Sequence, residues 1–233
     1  MAERRFVVEV ERLDAEVLVL DGLDLARAFF TGDISARPGG YDSMVGLQSP
    51  DKILDVDITT VNTTMRARSS HASWAPVIAE AQTWLRNIPR DLDLIEADES
   101  EWEGCNGDAL LSAAIGPCLR RGIGLAVATK VLHLKRPRLV PILDSLVAQM
   151  LGVNPPDGLP PQQRLAGGRR LVAAVRQQGR RNLDVLRDIQ AELARDHIER
   201  SLVRVFDAII WYAHPAAGVP GIKRSIRVGL HLP

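Results

Sequence analysis

Residues 113–147, AAIGPCLRRGIGLAVATKVLHLKRPRLVPILDSLV, decide how the rest of the chain is read. The stretch describes a helix, a tight turn at Gly122-Ile123-Gly124, and a second helix from about Leu125 to Leu134. Two glycines around one apolar residue permit a backbone hairpin in which Ile123 plugs between the helices. The amides of the turn and of the second helix's first residues then point outward. Amides exposed at a helix N-terminus attract anions, so such a turn can hold a phosphate without any side chain. Arg120 and Arg121 precede it, and Lys135, Arg136 and Arg138 follow. Next, Pro137 and Pro141 fix an irregular basic loop ending at Asp144, in front of a helix that begins Ser145-Leu146-Val147. Helix amides keep an N-cap carboxylate ionised, although capping alone is a sufficient reason for an Asp at that place.

Outward from this segment the patterns are mostly helical. Residues 6–20 are Val-rich and partly alternating, which suits a short β-hairpin or an edge strand. Asp21 to Phe30 has a helical period, ended by the loop Arg37-Pro38-Gly39-Gly40. Asp57 can cap a helix to about Met65, and Ser73 one that runs through Trp84 and Asn87 to stop at Pro89. Asp108 opens the helix that leads into the hairpin. Residues 154–161, NPPDGLPP, are the strongest loop signal. Beyond them come an Arg-rich amphipathic helix (about 162–178), another from Leu183 to Arg195, and an apolar one from Leu202 to Tyr212. The expected fold is mainly α with a small N-terminal β element. Residues 1–50 form a β/loop extension, and residues 51–233 a helical domain holding the hairpin (113–134) and the Asp loop (135–147).

The composition excludes several classes. With 46 % hydrophobic and 25 % charged residues over 233 positions, the chain is neither disordered nor a disulfide scaffold. Cys105 and Cys118 form no CxxC pair and read as reduced core thiols, so neither a metal nor any other cofactor is expected. No signal peptide or long apolar run is present, which points to the cytoplasm, with association to the nucleoid when DNA is bound. No G-x-S-x-G, P-loop or G-x-G-x-x-G motif occurs. The net charge of zero conceals an asymmetry: residues 1–119 hold 10 Lys+Arg against 21 Asp+Glu, leaving 19 against 8 for residues 120–233. Either the basic half meets a polyanion or the two halves attract each other. Arg164, Arg169, Arg170, Arg176, Arg180 and Arg181 can likewise track a DNA backbone or form a solvated helical face. Residues 223–227, KRSIR, are either a basic tail or a short strand on the N-terminal one.

The hairpin, the proline-containing loop and the capped Asp resemble the motif of the helix-hairpin-helix DNA glycosylase superfamily, the endonuclease III and alkyladenine glycosylase group. In that family an essential Asp follows a G-(V/I)-G hairpin by about twenty residues, as Asp144 follows Gly124 here. Residues 128–133 (ATKVLH) and 135–144 (KRPRLVPILD) also resemble an uncharacterised actinobacterial family with a KRPRL(I/V)PxxD core. That likeness extends back to Asp57-Ile58 and to residues 88–94, and forward to Leu202 through Trp211, roughly residues 50–215 in all.

The resemblance implies a monofunctional N-glycosylase that flips a modified base out of double-stranded DNA and leaves an abasic site. Asp144 would stabilise the oxocarbenium-like sugar and orient the attacking water. Gly122, Ile123, Gly124, Arg121, Lys135, Arg136 and Arg138 would hold the strand. The Schiff-base lysine of bifunctional members is replaced by Ala126. Lys130, one helical turn on, then either contacts a phosphate or carboxylate or serves in covalent catalysis. Asn62, His71 and Trp74 would face the Asp across a cleft, with Tyr41 on a mobile loop or a simple turn. The ordinary reading makes Trp74 a core residue on its helix and His71 an exposed loop residue. The target is a damaged base or a hypermodified base of phage DNA. A catalytically silent DNA-binding module is the alternative, and neither reading needs a membrane or an obligate protein partner.

Overall fold

A computed structural model describes residues 6–14, 16–32, 40–47, 49–154 and 158–215, together with the backbone of 227–228. Strict alternation makes the first two strands. β1 (Val7–Glu11) and β2 (Val17–Asp21) bury Val8, Val10, Leu18 and Leu20 on one face and pair antiparallel, Val8 opposite Leu20. β3 (Arg227–Val228) adds to the other side of β2, which gives the order β1-β2-β3. The rest of segment 223–227 lies outside the described residues, as does most of the loop around Arg37. The free edge of β1 is covered by amide side chains. Asn182 Oδ1 accepts from Glu9 N at 2.9 Å while its Nδ2 donates to Glu9 O at 2.7 Å, and Gln178 Oε1 accepts from Glu11 N at 2.9 Å. Those side chains satisfy backbone groups that an open edge would offer to another chain.

Helices α1 (Gly22–Gly32) and α2 (Tyr41–Met44) precede α3 (Asp55–Thr64) and α4 (His71–Leu85). The caps fall a few residues from their expected places. Asp57 sits inside the first turn of α3 and accepts from Leu54 N at 2.7 Å. Ser70, not Ser73, caps α4, its hydroxyl accepting from Ser73 N. A short α5 (Glu99–Gly104), capped by Asp98, precedes α6 (Gly107–Ile115). Then come α7 (Leu125–Lys135), α8 (Ser145–Met150), α9 (Pro161–Arg181), α10 (Leu183–Arg195) and α11 (Leu202–Ala213).

The apolar run of α11 has a consequence for placement: a helix hydrophobic nearly all round must be buried. Val203, Val205, Phe206, Ala208, Ile209 and Ile210 are each at most 1 % exposed. Helices α1, α8, α9 and α10 pack against it, while α3, α4, α6 and α7 pack with one another in the middle of the sequence. The N-terminal elements are therefore part of the main packing, with Phe29 edge-on to both Trp211 and Tyr212. Cys118 is fully buried, its thiol pushed up to about 12 by loss of water, and Cys105 is half-buried; both are free. Among the described residues no helix is long and apolar enough to cross a membrane.

Candidate functional site at the hairpin and the Asp144 cap

The hairpin forms between α6 and α7 through a 3-10 turn at Gly116–Cys118 and a β-turn closed by Ile123 N donating to Arg120 O. Ile123 is fully buried, as a plug between the helices should be. Gly122 has a φ of +85°, and a Cβ there would lie 2.5 Å from Ser73 Oγ, so the fold itself demands glycine. Gly124 differs. Its φ of −79° suits any residue, and a Cβ would meet nothing within 4 Å. Nothing in the fold requires the absence of a side chain beside the first amides of α7. Arg164 Nη1 donates to Ile123 O at 2.7 Å and Nη2 to Arg120 O at 3.4 Å, which docks α9 and a positive charge on the turn.

From this turn α7 leads to the Asp loop, and three bonds fix the loop to the helix. Thr129 Oγ1 accepts from Leu143 N at 3.1 Å, immediately before Asp144. The Nδ1–H of His133 donates to Val140 O at 2.7 Å, and Val140 N donates to Arg136 O at 2.9 Å. Asp144 then caps α8, with Oδ1 accepting from Leu146 N and Val147 N, both at 3.1 Å. Its other oxygen, Oδ2, accepts from Trp211 Nε1 at 3.0 Å. Asp144 and Trp211 are both half-buried.

Farther along α11, at the i, i+3 and i+7 positions Arg204, Asp207 and Trp211, a polar stripe interrupts the apolar helix. Arg204 binds Asp42 through two bonds, Nε–Oδ1 at 2.7 Å and Nη2–Oδ2 at 2.9 Å, and its third nitrogen is close against Asp207. All three are nearly inaccessible to water. Burial opposes the guanidinium's charge, but the two carboxylates more than offset that and hold Arg204 firmly protonated. One cation shared by two buried carboxylates leaves a negative charge in excess. Loss of water, against the pull of Arg204, pushes Asp207 up to about 7, and Asp144 nearby adds to the rise. A cleft of about 500 Å3 opens beside this cluster, lined among others by Asp42, His133, Arg138, Gln190, Arg200 and Arg204.

The structure corrects several expectations. Lys135 is buried, with Nζ on both oxygens of the buried Asp57 at 2.8 and 2.7 Å, so it cannot reach a phosphate. Arg136, also fully buried, donates to the carbonyls of Pro50, Leu85, Ile88 and Lys135 and to Asp51. These cations hold the Asp loop onto α3 and α4; they are not a DNA surface. Arg138 is exposed but paired with Asp93 and Glu96, whereas Arg121 is exposed at the hairpin and has no acidic partner among the described residues.

The proposed base pocket does not assemble. Asn62 braces the α3–α4 connection through Ser69, donating to its carbonyl and accepting from its amide, and buried Trp74 donates to Ser69 Oγ at 3.1 Å. His71 is exposed and bonded to Asp55. Tyr41 is fully buried on α2, its ring stacked on His133 and its hydroxyl donating to Lys130 O, so it is neither a mobile loop residue nor a reader of bases. Lys130 Nζ turns to Met65 O at 3.5 Å. Thr129, Arg204, Asp207 and Trp211 were not singled out from sequence. A charged pair inside an otherwise apolar helix is the signal that marks Arg204 and Asp207.

The fold and this site define a mainly helical protein with a hairpin-borne helix leading to a capped, Trp-held aspartate. A model of DUF6308, described as a family of unknown function, matches residues 23–214, and the chain belongs to that family. No curated protein and no solved structure matches it.

Proposed function

We propose that the protein binds duplex DNA through the Gly122–Gly124 turn and cleaves an N-glycosidic bond of a modified base, with Asp144 as the catalytic carboxylate. The observation that carries this reading is the held carboxylate: three donors fix Asp144 at the start of α8, twenty positions after an unobstructed Gly124. A fixed carboxylate stabilises developing positive charge on a sugar without reorganising in the transition state. Arg121 and Arg164 supply positive charge beside the turn, and the outward amides of α7 complete a phosphate site.

The experiment is incubation of the full chain with duplexes carrying a panel of alkylated, oxidised and hypermodified bases, followed by alkali. Cleavage that Asp144→Asn reduces by about 10²-fold or more, with DNA affinity unchanged, establishes the reading. Strand breaks without alkali bring Lys130 in as a nucleophile. The second reading, a silent DNA-binding module, is favoured by one feature: both oxygens of Asp144 already have protein donors. It is the conclusion if salt-sensitive binding persists while every base in the panel stays intact.

A further inference from the structure

The cleft beside Arg204 is lined by charges of both signs, and most of them are already matched. Asp42 binds Arg204, while Asp93 and Glu96 bind Arg138 at 3.2 and 3.1 Å. Asp207, which leaves the buried cluster with a negative charge in excess, does not line the cleft. Two lining charges stay open. Glu199 is exposed, and its carboxylate has no partner among the described residues. Arg200 follows it in the chain, yet Arg200 Nη1 donates to the backbone carbonyl of Glu199 at 2.6 Å and not to its carboxylate. The guanidinium lies over the Phe30 ring, 5.7 Å from the centroid, which holds it in place. Its Nε is closed off from water, whereas Nη2 is open and unpaired among the described residues. Gln190 donates its amide nitrogen to Arg200 O at 2.6 Å and keeps Oε1 open to water.

We propose that this cleft binds a small zwitterion, an α-amino acid with an apolar side chain or a dipeptide of such residues, its carboxylate on Arg200 and its ammonium on Glu199. A ligand of one charge sign would leave one of these two groups facing its like, whereas a zwitterion answers both. Bonds between charged partners are the stronger kind, and the protein atoms that make them here are reached by water before the ligand arrives. Arg200 Nη2 donates to the carboxylate. The ammonium carries three donors, enough for Glu199 and for Gln190 Oε1 together. Val45, Pro137 and Leu202 offer the apolar wall that the side chain requires. About 500 Å3 holds one amino acid and leaves room for a second residue. The site stands apart from the Asp144 reading: none of these residues is bonded to Asp144, and the test needs no DNA.

The test is calorimetric titration of the full chain with L-leucine and leucyl-leucine, beside leucinol as the amine alone and 4-methylpentanoate as the carboxylate alone. One-to-one saturation by leucine or leucyl-leucine is expected, with leucinol and 4-methylpentanoate each weaker by about tenfold or more for want of one ionic bond. Glu199→Gln and Arg200→Gln should each weaken binding of the zwitterion by about tenfold or more. The Glu199 side chain is exposed and makes no bond, so Glu199→Gln keeps the fold and stands as the deciding variant if Arg200→Gln, which loses the contact with Phe30, melts earlier. Leucine binding as tight as leucyl-leucine assigns the free amino acid, and tighter leucyl-leucine binding assigns the peptide. The proposal is overturned by no saturable heat with either zwitterion, by leucinol or 4-methylpentanoate binding as tightly as leucine, or by an affinity that Glu199→Gln does not change.

Discussion

His133 and Asp207 illustrate how burial acts oppositely on a base and an acid. Loss of water lowers His133 from 6.5 to about 4 and raises Asp207 from 3.8 to about 7. Below pH 6.5 the unfolded chain protonates His133 before the folded chain does, so stability is lost as pH falls from about 6.5 to 4. Above pH 3.8 the unfolded chain releases the Asp207 proton first, so stability is lost as pH rises from about 3.8 to 7 and then levels off. Asp207→Asn removes the second loss alone. Relative to the parent, its melting temperature should therefore be higher at pH 8 than at pH 5, measured as a difference between the two proteins. A uniform offset across that range would show that Asp207 is ionised throughout. Lys135 and Asp57 stand in contrast as a balanced buried pair. Removing one partner of such a pair costs about 3–5 kcal/mol, whereas a half-exposed pair such as Arg187–Glu96 contributes about 1 kcal/mol or less.

At the scale of elements, the hairpin separates two roles that look alike in the string G-I-G. Gly122→Ala forces a side chain into a left-handed backbone and onto Ser73, so it should destabilise the fold by about 1–2 kcal/mol. Gly124→Ala meets open space and should leave thermal stability nearly unchanged. If DNA phosphates approach the α7 amides, Gly124→Ala should nonetheless weaken binding by about tenfold in a fluorescence anisotropy titration. Unchanged affinity would remove the amides of α7 from the interface. These elements were readable because their signals are local: the glycine pair, the Asp before Ser145, and the apolar periods of α7, α10 and α11. Lys135 and Arg136 were misread as surface cations for a matching reason. Their fate depends on Asp57, 78 positions earlier, and on backbone carbonyls as distant as Pro50. Local charge in the Asp loop carries no trace of those partners. The cleft is harder still: it joins residues 42, 133, 138, 190, 200 and 204, and although 133 and 138 fall in quoted segments, no motif brings the six together.

For the whole molecule, the charge asymmetry of the sequence is answered largely within the fold. Arg120 meets Glu80, Lys135 meets Asp57, Arg136 meets Asp51, Arg176 meets Glu99, Arg181 meets Glu9 and Glu11, and Arg204 meets Asp42. The basic half and the acidic half are thus partners, and three of the six arginines of α9, Arg176, Arg180 and Arg181, serve that purpose. Arg176 and Arg180 donate to carbonyls of the 94–98 segment. Arg121, Arg169 and Arg170 stay exposed without acidic partners among the described residues. DNA binding should therefore depend only modestly on salt, with a slope of log K against log salt near −3, from about three phosphates. A slope of −6 or steeper would require contacts from cations beyond these three.

Glu9 bonds to Asn182, 173 positions away, and Phe29 packs on Trp211 and Tyr212. During synthesis, then, the first strands and α1 leave the ribosome long before the helices that cover them have been made. Phe29 and Phe30, buried in the finished molecule, must wait in water until α10 and α11 arrive. Until then this aromatic segment of the nascent chain stays uncovered and open to association with other unfolded chains.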